Sequence, residues 1–130
     1  MQLGRNDFEV YQLAYIDAYV YGKTEIMAFM MHANFNNVRI GTLKSKLEFI
    51  PLVELKIKNN KWYEPQSTYR YRNLAKHTVG ETASSYGQLT IRGPSEVLIF
   101  NVSDLWLYHP QDAWKILNFS ISPFASASSV

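Results

Sequence analysis

There is no cysteine anywhere in the 130 residues. Disulfides and thiolate metal sites are thereby excluded, and packing and hydrogen bonds must hold the fold. Long apolar runs are missing too. The longest uncharged one, from Ile26 to Met31, is far too short to cross a bilayer, so no membrane span is expected. Met1-Gln2-Leu3-Gly4-Arg5 lacks the basic-then-apolar order of a signal peptide, which points to an intracellular or virion-associated protein. Charge is scarce as well: charged residues make up 18% of the chain and the net charge is +2, too small to attract nucleic acid over long range. A surface solvated on every side normally carries more charge, so part of it reads as an interface.

Apolar and aromatic side chains are plentiful instead. Hydrophobic residues reach 47% and aromatics 15%, with nine tyrosines. That is enough for the core of one domain, expected over 1–121, followed by a flexible tail at 122–130 that is mostly serine and alanine. Near the start, Asn6 or Asp7 can cap a helix running to about Tyr21, with Gly22 just past its end. Thr24 opens a second helical segment that continues through Ala33 to the polar cluster Asn34 to Asn37.

From Val38 onward the texture becomes short alternating runs. Between Leu43 and Lys61 the period of two predicts a core strand, broken near Pro51 and turning back as a hairpin at Asn59-Asn60, so that Ile57 faces Trp62. Thr68 to Arg72 predicts a strand, Asn73 to Ser85 a long loop with one helical turn near Leu74 to His77, and Tyr86 to Arg92 with Ser95 to Val102 a hairpin through Gly93-Pro94. Leu105 to Tyr108 and Ala113 to Ile121 supply the last strands. The expected class is α+β, with N-terminal helical segments packed on a mainly antiparallel β-sheet, closed as a sandwich or partly open as a barrel.

Few residues offer chemistry. Gly22-Lys23-Thr24 matches the end of a phosphate-binding loop, but Asp17 stands where the first glycine belongs, and Ala18 to Tyr21 is bulky where bare amides must curl around phosphate. His32, His77 and His109 lack partners at metal-ligand spacing. His109 with Asp104 and Asp112 could form a cluster beside the Pro110 turn, and Ser84 and Ser85 lie in the expected loop without a nucleophile elbow. Asn101-Val-Ser103 and Asn118-Phe-Ser120 match the glycosylation sequon, yet both fall in expected strands. No catalytic residue, cofactor site or metal site is assigned, and the chain reads as a non-enzyme.

The reading needing fewest coincidences is an interaction or assembly protein of the kind found among viral and phage accessory or structural components. Its partner would be a second copy of itself or another protein, met through Tyr11, Tyr15 and Tyr19 on the first helix and Met27, Met30 and Met31 on the second. The alternative is a single-stranded nucleic-acid-binding module. Arg70 and Arg72 alternate with Tyr69 and Tyr71, while Lys44, Lys56, Lys58 and Lys61 crowd the expected hairpin beside Trp62 and Tyr63, giving the basic groove and aromatic platforms that such binding needs.

Overall fold

The structure, a computed structural model, describes residues 7–124. Helices α1 (Phe8–Tyr21) and α2 (Thr24–Met30) come first, followed by β1 (Met31–Arg39), β2 (Thr42–Ser45) and α3 (Lys46–Lys58). Four long strands complete it: β3 (Thr68–Val79), β4 (Thr82–Arg92), β5 (Val97–His109) and β6 (Ala113–Pro123). All six strands form one mixed sheet in the order β2-β1-β6-β5-β4-β3, with β1 parallel to β6 and every other pair antiparallel. The α+β class and the helix-first order agree with the sequence; the sheet is not closed into a barrel.

Helix α1 forms where expected because its apolar positions recur at helical spacing. Phe8, Gln12, Tyr15, Ile16, Tyr19 and Val20 are buried, and Gly22 ends the helix with φ 65°, a left-handed conformation that glycine adopts without strain. The buried stripe lies on the inner face of the sheet. Tyr15 packs edge-on against Trp106 and Phe119, and Phe8 against Trp106 and Trp114, at ring-centre distances of 5.3 to 6.1 Å. Asp7 occupies the cap position without a side-chain capping bond; Asn6 lies outside the described residues. Helix α2 stops at Met30, so Met31, His32, Ala33 and the polar cluster after them belong to β1.

The stretch 43–61 departs most from expectation. Only its start is strand; Lys46–Lys58 is helix, nucleated by a capping box in which Ser45 and Glu48 satisfy each other's backbone amides. Phe49 and Val53, four apart, are its buried positions, and Leu52 and Lys56 flank them at helical spacing. Pro51 sits inside the helix on its exposed side, where it cannot donate to the carbonyl of Leu47. Asn60 is indeed left-handed, with φ 56°, but it closes a helix rather than a hairpin. Lys61 N–H donates to Lys56 C=O at 2.7 Å and Asn60 N–H to Ile57 C=O at 3.1 Å, the bonding pattern of a Schellman end. Ile57 therefore does not pair with Trp62.

Residues 73–85, expected as a loop, are strand on both sides of a tight turn at Gly80, with His77 opposite Ser84 and Val79 opposite Thr82. The expected β4–β5 hairpin is present, Arg92 facing Val97. The last strand runs to Pro123, beyond the expected start of the tail, with Ser122 opposite Asn101; residues 125–130 lie outside the described residues. Among the described residues no helix is long and apolar enough to cross a membrane.

Candidate functional site

Two groups of polar side chains converge on the helix-covered face of the sheet. The inner one is sealed. Gln12, fully buried on α1, donates through Nε2 to Asp104 Oδ2 on β5 at 2.9 Å and to Ser85 Oγ on β4 at 2.6 Å, while Asn73 Nδ2 on β3 donates to Gln12 Oε1 at 3.0 Å. Ser85 Oγ donates to the other carboxylate oxygen of Asp104 at 2.6 Å. Burial raises the Asp104 carboxyl above its ordinary range, against the hydrogen bonds from Ser85 and Gln12 that favour the anion. Tyr71 lies across Gly87, where an added Cβ would come within 2.6 Å of its hydroxyl. Burial pushes that hydroxyl up to about 12, the neighbouring Ser85 hydroxyl opposing the shift and the Asp104 charge adding to it. At 5% exposure, with an oxygen bonded on each side, Asp104 is closed to a substrate.

The outer group lies at the sheet end where β1 finishes and the β4–β5 hairpin turns. Tyr19 on α1 and Tyr63 on the connection from α3 to β3 bring their hydroxyl oxygens to 2.6 Å. Arg39 Nη1 at the end of β1 donates to both, 3.2 Å each, and its guanidinium stands 5.5 Å from the Phe100 ring centre. Burial raises the Tyr19 hydroxyl well above the ordinary phenol range, so it stays protonated. Trp62 is pinned through its indole N–H to the carbonyl of Tyr19 at 2.9 Å, which fixes the connection against α1. Beside this group is a pocket of about 240 Å³, walled by Trp62, Tyr63, Ile91 and Leu98, with Arg39 in its lining. A wider recess of about 540 Å³ lies beyond Trp62 and Tyr63, against Tyr21 and Ile57.

The residues singled out from the sequence scatter. Lys56, Lys61, Trp62 and Tyr63 line the 240 Å³ pocket. Lys44 is on β2 and Arg70 and Arg72 on β3, at opposite edges of the sheet, and Lys58 ends α3, so they share no basic groove. Arg70 and Arg72 are exposed, whereas Tyr69 and Tyr71 turn inward, Tyr69 donating to Asp17 Oδ1 at 3.0 Å. Tyr15, Tyr19, Met27, Met30 and Met31 are in the chain's own core and Tyr11 packs against it, so the proposed partner-facing stripe is not available to a neighbour. Asp104 is buried, while His109 and Asp112 are exposed at the β5–β6 turn; they form no cluster, and no group of metal-binding side chains occurs among the described residues. Gly22-Lys23-Thr24 is a helix-to-helix turn in which Lys23 pairs with Asp17 at 3.1 Å. Arg39, Gln12 and Asn73 went unnoticed in the sequence.

No protein-family profile matches the chain, and no curated protein matches it. Solved structures do. An NTF2-like protein of unknown function from Pseudomonas putida superimposes with a TM-score of 0.75 at 12% identity, over 97% of this chain and 91% of that one. A candidate dehydratase of the NTF2-like family from Streptomyces avermitilis gives 0.72 at 14% identity, over 93% and 97%. A candidate ketosteroid isomerase from Shewanella frigidimarina gives 0.68 at 15% identity, over 86% and 91%. The fold is thus NTF2-like, its neighbours include two candidate enzymes, and an enzymatic function is open to it. These neighbours, with the burial of the supposed contact stripe and the separation of the basic residues, overturn three expectations: the homo-oligomeric assembly protein, the viral or phage component and the single-stranded nucleic-acid binder.

Proposed function

We propose that this chain is a small-molecule-binding domain whose ligand occupies the 240 Å³ pocket between the end of β1, the α3–β3 connection and the β4–β5 turn. One observation carries the reading: aromatic and aliphatic walls there meet the half-buried Arg39 and Tyr63, which are not sealed from solvent, the combination that ligand pockets use. The candidate ketosteroid isomerase and the candidate dehydratase that share this fold support it. A second reading, that the bound molecule is also turned over, is favoured by the Tyr19–Tyr63 pair, since a Tyr63 hydroxyl that accepts from the buried Tyr19 keeps its own hydrogen to donate to a developing oxyanion.

The test is a thermal-shift screen with cationic, neutral and anionic small molecules on the wild type and on Leu98→Trp, which fills the pocket. At least one class should raise Tm by a few degrees in the wild type, as occupancy by a ligand far above its Kd requires, and leave the variant unmoved. A screen in which both proteins respond alike to every compound removes the reading.

A further inference from the structure

We infer that the ligand is a small monoanionic carboxylate with a flat apolar body, its carboxylate gripped by Arg39; this rests on the pocket reading above. Hydrogen accounting leads there. A guanidinium carries five N–H donors and accepts nothing. The Nη1 group serves Tyr19 and Tyr63, and the donors on Nε and Nη2 have no partner among the described residues. The two phenols share one hydrogen across 2.6 Å, which leaves the other without an acceptor. Tyr19 is 1% exposed whereas Tyr63 lines the pocket, so Tyr19 is the donor of the shared bond and the spare hydrogen belongs to Tyr63; the reverse would strand a donor in the core.

The pocket therefore offers donors that have no partner among the described residues. Glu64, one of two carboxylates in the lining, receives Ser95 N–H at 3.2 Å and Ser95 Oγ at 2.8 Å. An occupant that matches must be an acceptor with negative charge, and a planar fork suits the two oxygens of a carboxylate. The charge count sets its valence. Arg39, Lys56 and Lys61 face Glu64 and Glu96, a net of +1, which one carboxylate neutralises and a phosphate dianion overshoots. Volume sets the size: a cavity of about 150 Å³ holds benzene, so 240 Å³ accommodates a ring and its carboxylate but little more. Trp62, Tyr63, Ile91 and Leu98 in the lining give that ring its apolar walls.

Titration calorimetry on the full chain with benzoate, benzamide and phenyl phosphate tests this. Benzoate should bind at least ten-fold more tightly than its neutral amide. Arg39→Gln should erase that preference by weakening benzoate far more than benzamide, and Arg39→Lys, which keeps the charge and loses the fork, should fall between. Should an Arg39 variant fail to fold, nuclear magnetic resonance on the wild type reads the same contact: benzoate must shift the Arg39 Nε–H and Trp62 indole N–H signals. Benzamide equal to benzoate, an Arg39→Gln chain that keeps the preference, or unmoved Arg39 and Trp62 signals overturns the carboxylate assignment and leaves the pocket reading standing. Tighter binding of phenyl phosphate overturns the single charge. Failure of all three probes, together with failure of the neutral and cationic compounds of the thermal-shift screen, removes the pocket itself.

Discussion

The two polar groups on the inner face differ in what their hydrogen bonds leave over. Around Gln12 the amide, the serine and the carboxylate close on one another, and the carboxylate is sealed from solvent. Around Arg39 the bonds hold the guanidinium in place but leave most of its donors unused, next to a pocket. A buried network must be satisfied or it destabilises the fold, whereas a half-exposed site can keep a surplus because water serves it until a ligand arrives. The titratable carboxyl with the raised affinity for protons is thus the structural one, and the group with no acid–base range of its own is the one placed to bind. A perturbed titration marks burial first, and function only when access comes with it.

If that contrast holds, breaking the inner group should cost most. Gln12→Leu keeps volume but removes the donor to Asp104 and Ser85 and the acceptor for Asn73, leaving a buried carboxylate with one bond fewer. A loss of about 3 kcal/mol is expected in urea unfolding, with ligand affinity at the outer pocket unchanged. Next comes Gly87→Ala. An added Cβ would sit 2.4 Å from the Arg72 carbonyl oxygen and 2.8 Å from the Tyr71 ring carbon bearing the hydroxyl, so the strand itself must shift. About 2 kcal/mol is expected, and a variant as stable as the wild type would mean that Tyr71 does not lie where it is described.

The third prediction concerns pH. Unfolded, Asp104 titrates in the ordinary carboxyl range; folded, burial raises it. Between the two values the folded chain holds the extra proton, so this residue's contribution to stability falls as pH rises through that window and is lowest at neutral pH. The difference in unfolding free energy between the wild type and Asp104→Asn should therefore shift in favour of the wild type as pH drops from 7 toward 4.5. A difference that is flat with pH would show that the carboxyl is not perturbed.

How much of this the sequence carried depends on which side chains faced water. Helix α1 was legible because its buried stripe and Gly22 agree. Helix α3 was not. Leu47, Leu55 and Ile57 are 87%, 55% and 38% exposed, and these solvent-facing apolar residues, interleaved with lysines, imitate the alternation of a strand. The signal that could have decided the matter was Ser45-x-x-Glu48, a capping box ahead of an apolar run. Strands β3 and β4 near Gly80 were lost for the opposite reason. Beyond Asn73, β3 is the sheet edge and exposed on both faces, while the buried positions of β4 there are the small Ala83 and Ser85, so no hydrophobic period appears. Trp62, Tyr63, Lys56 and Lys61, expected to mark a nucleic-acid surface, line the 240 Å³ pocket instead, for a partner that the fold does not support. Arg39 gave no signal: an arginine ending a strand looks like any solubilising charge until tertiary structure lays Tyr19, Tyr63 and Phe100 around it.

The smallest expected effect is the most discriminating. Arg39→Gln removes a half-buried charge that has no carboxylate partner among the described residues and is held by two phenol oxygens and one ring face. Glutamine can still donate to Tyr19 or Tyr63, and the desolvation of the lost charge no longer opposes folding, so gain and loss offset to within about 1 kcal/mol. A residue that stabilises the fold as Gln12 does cannot be replaced so cheaply, while one retained for a ligand can. Equilibrium urea unfolding of the two variants side by side decides between them. If Arg39→Gln loses as much as Gln12→Leu, both groups are structural and the contrast between a closed and an open cluster collapses.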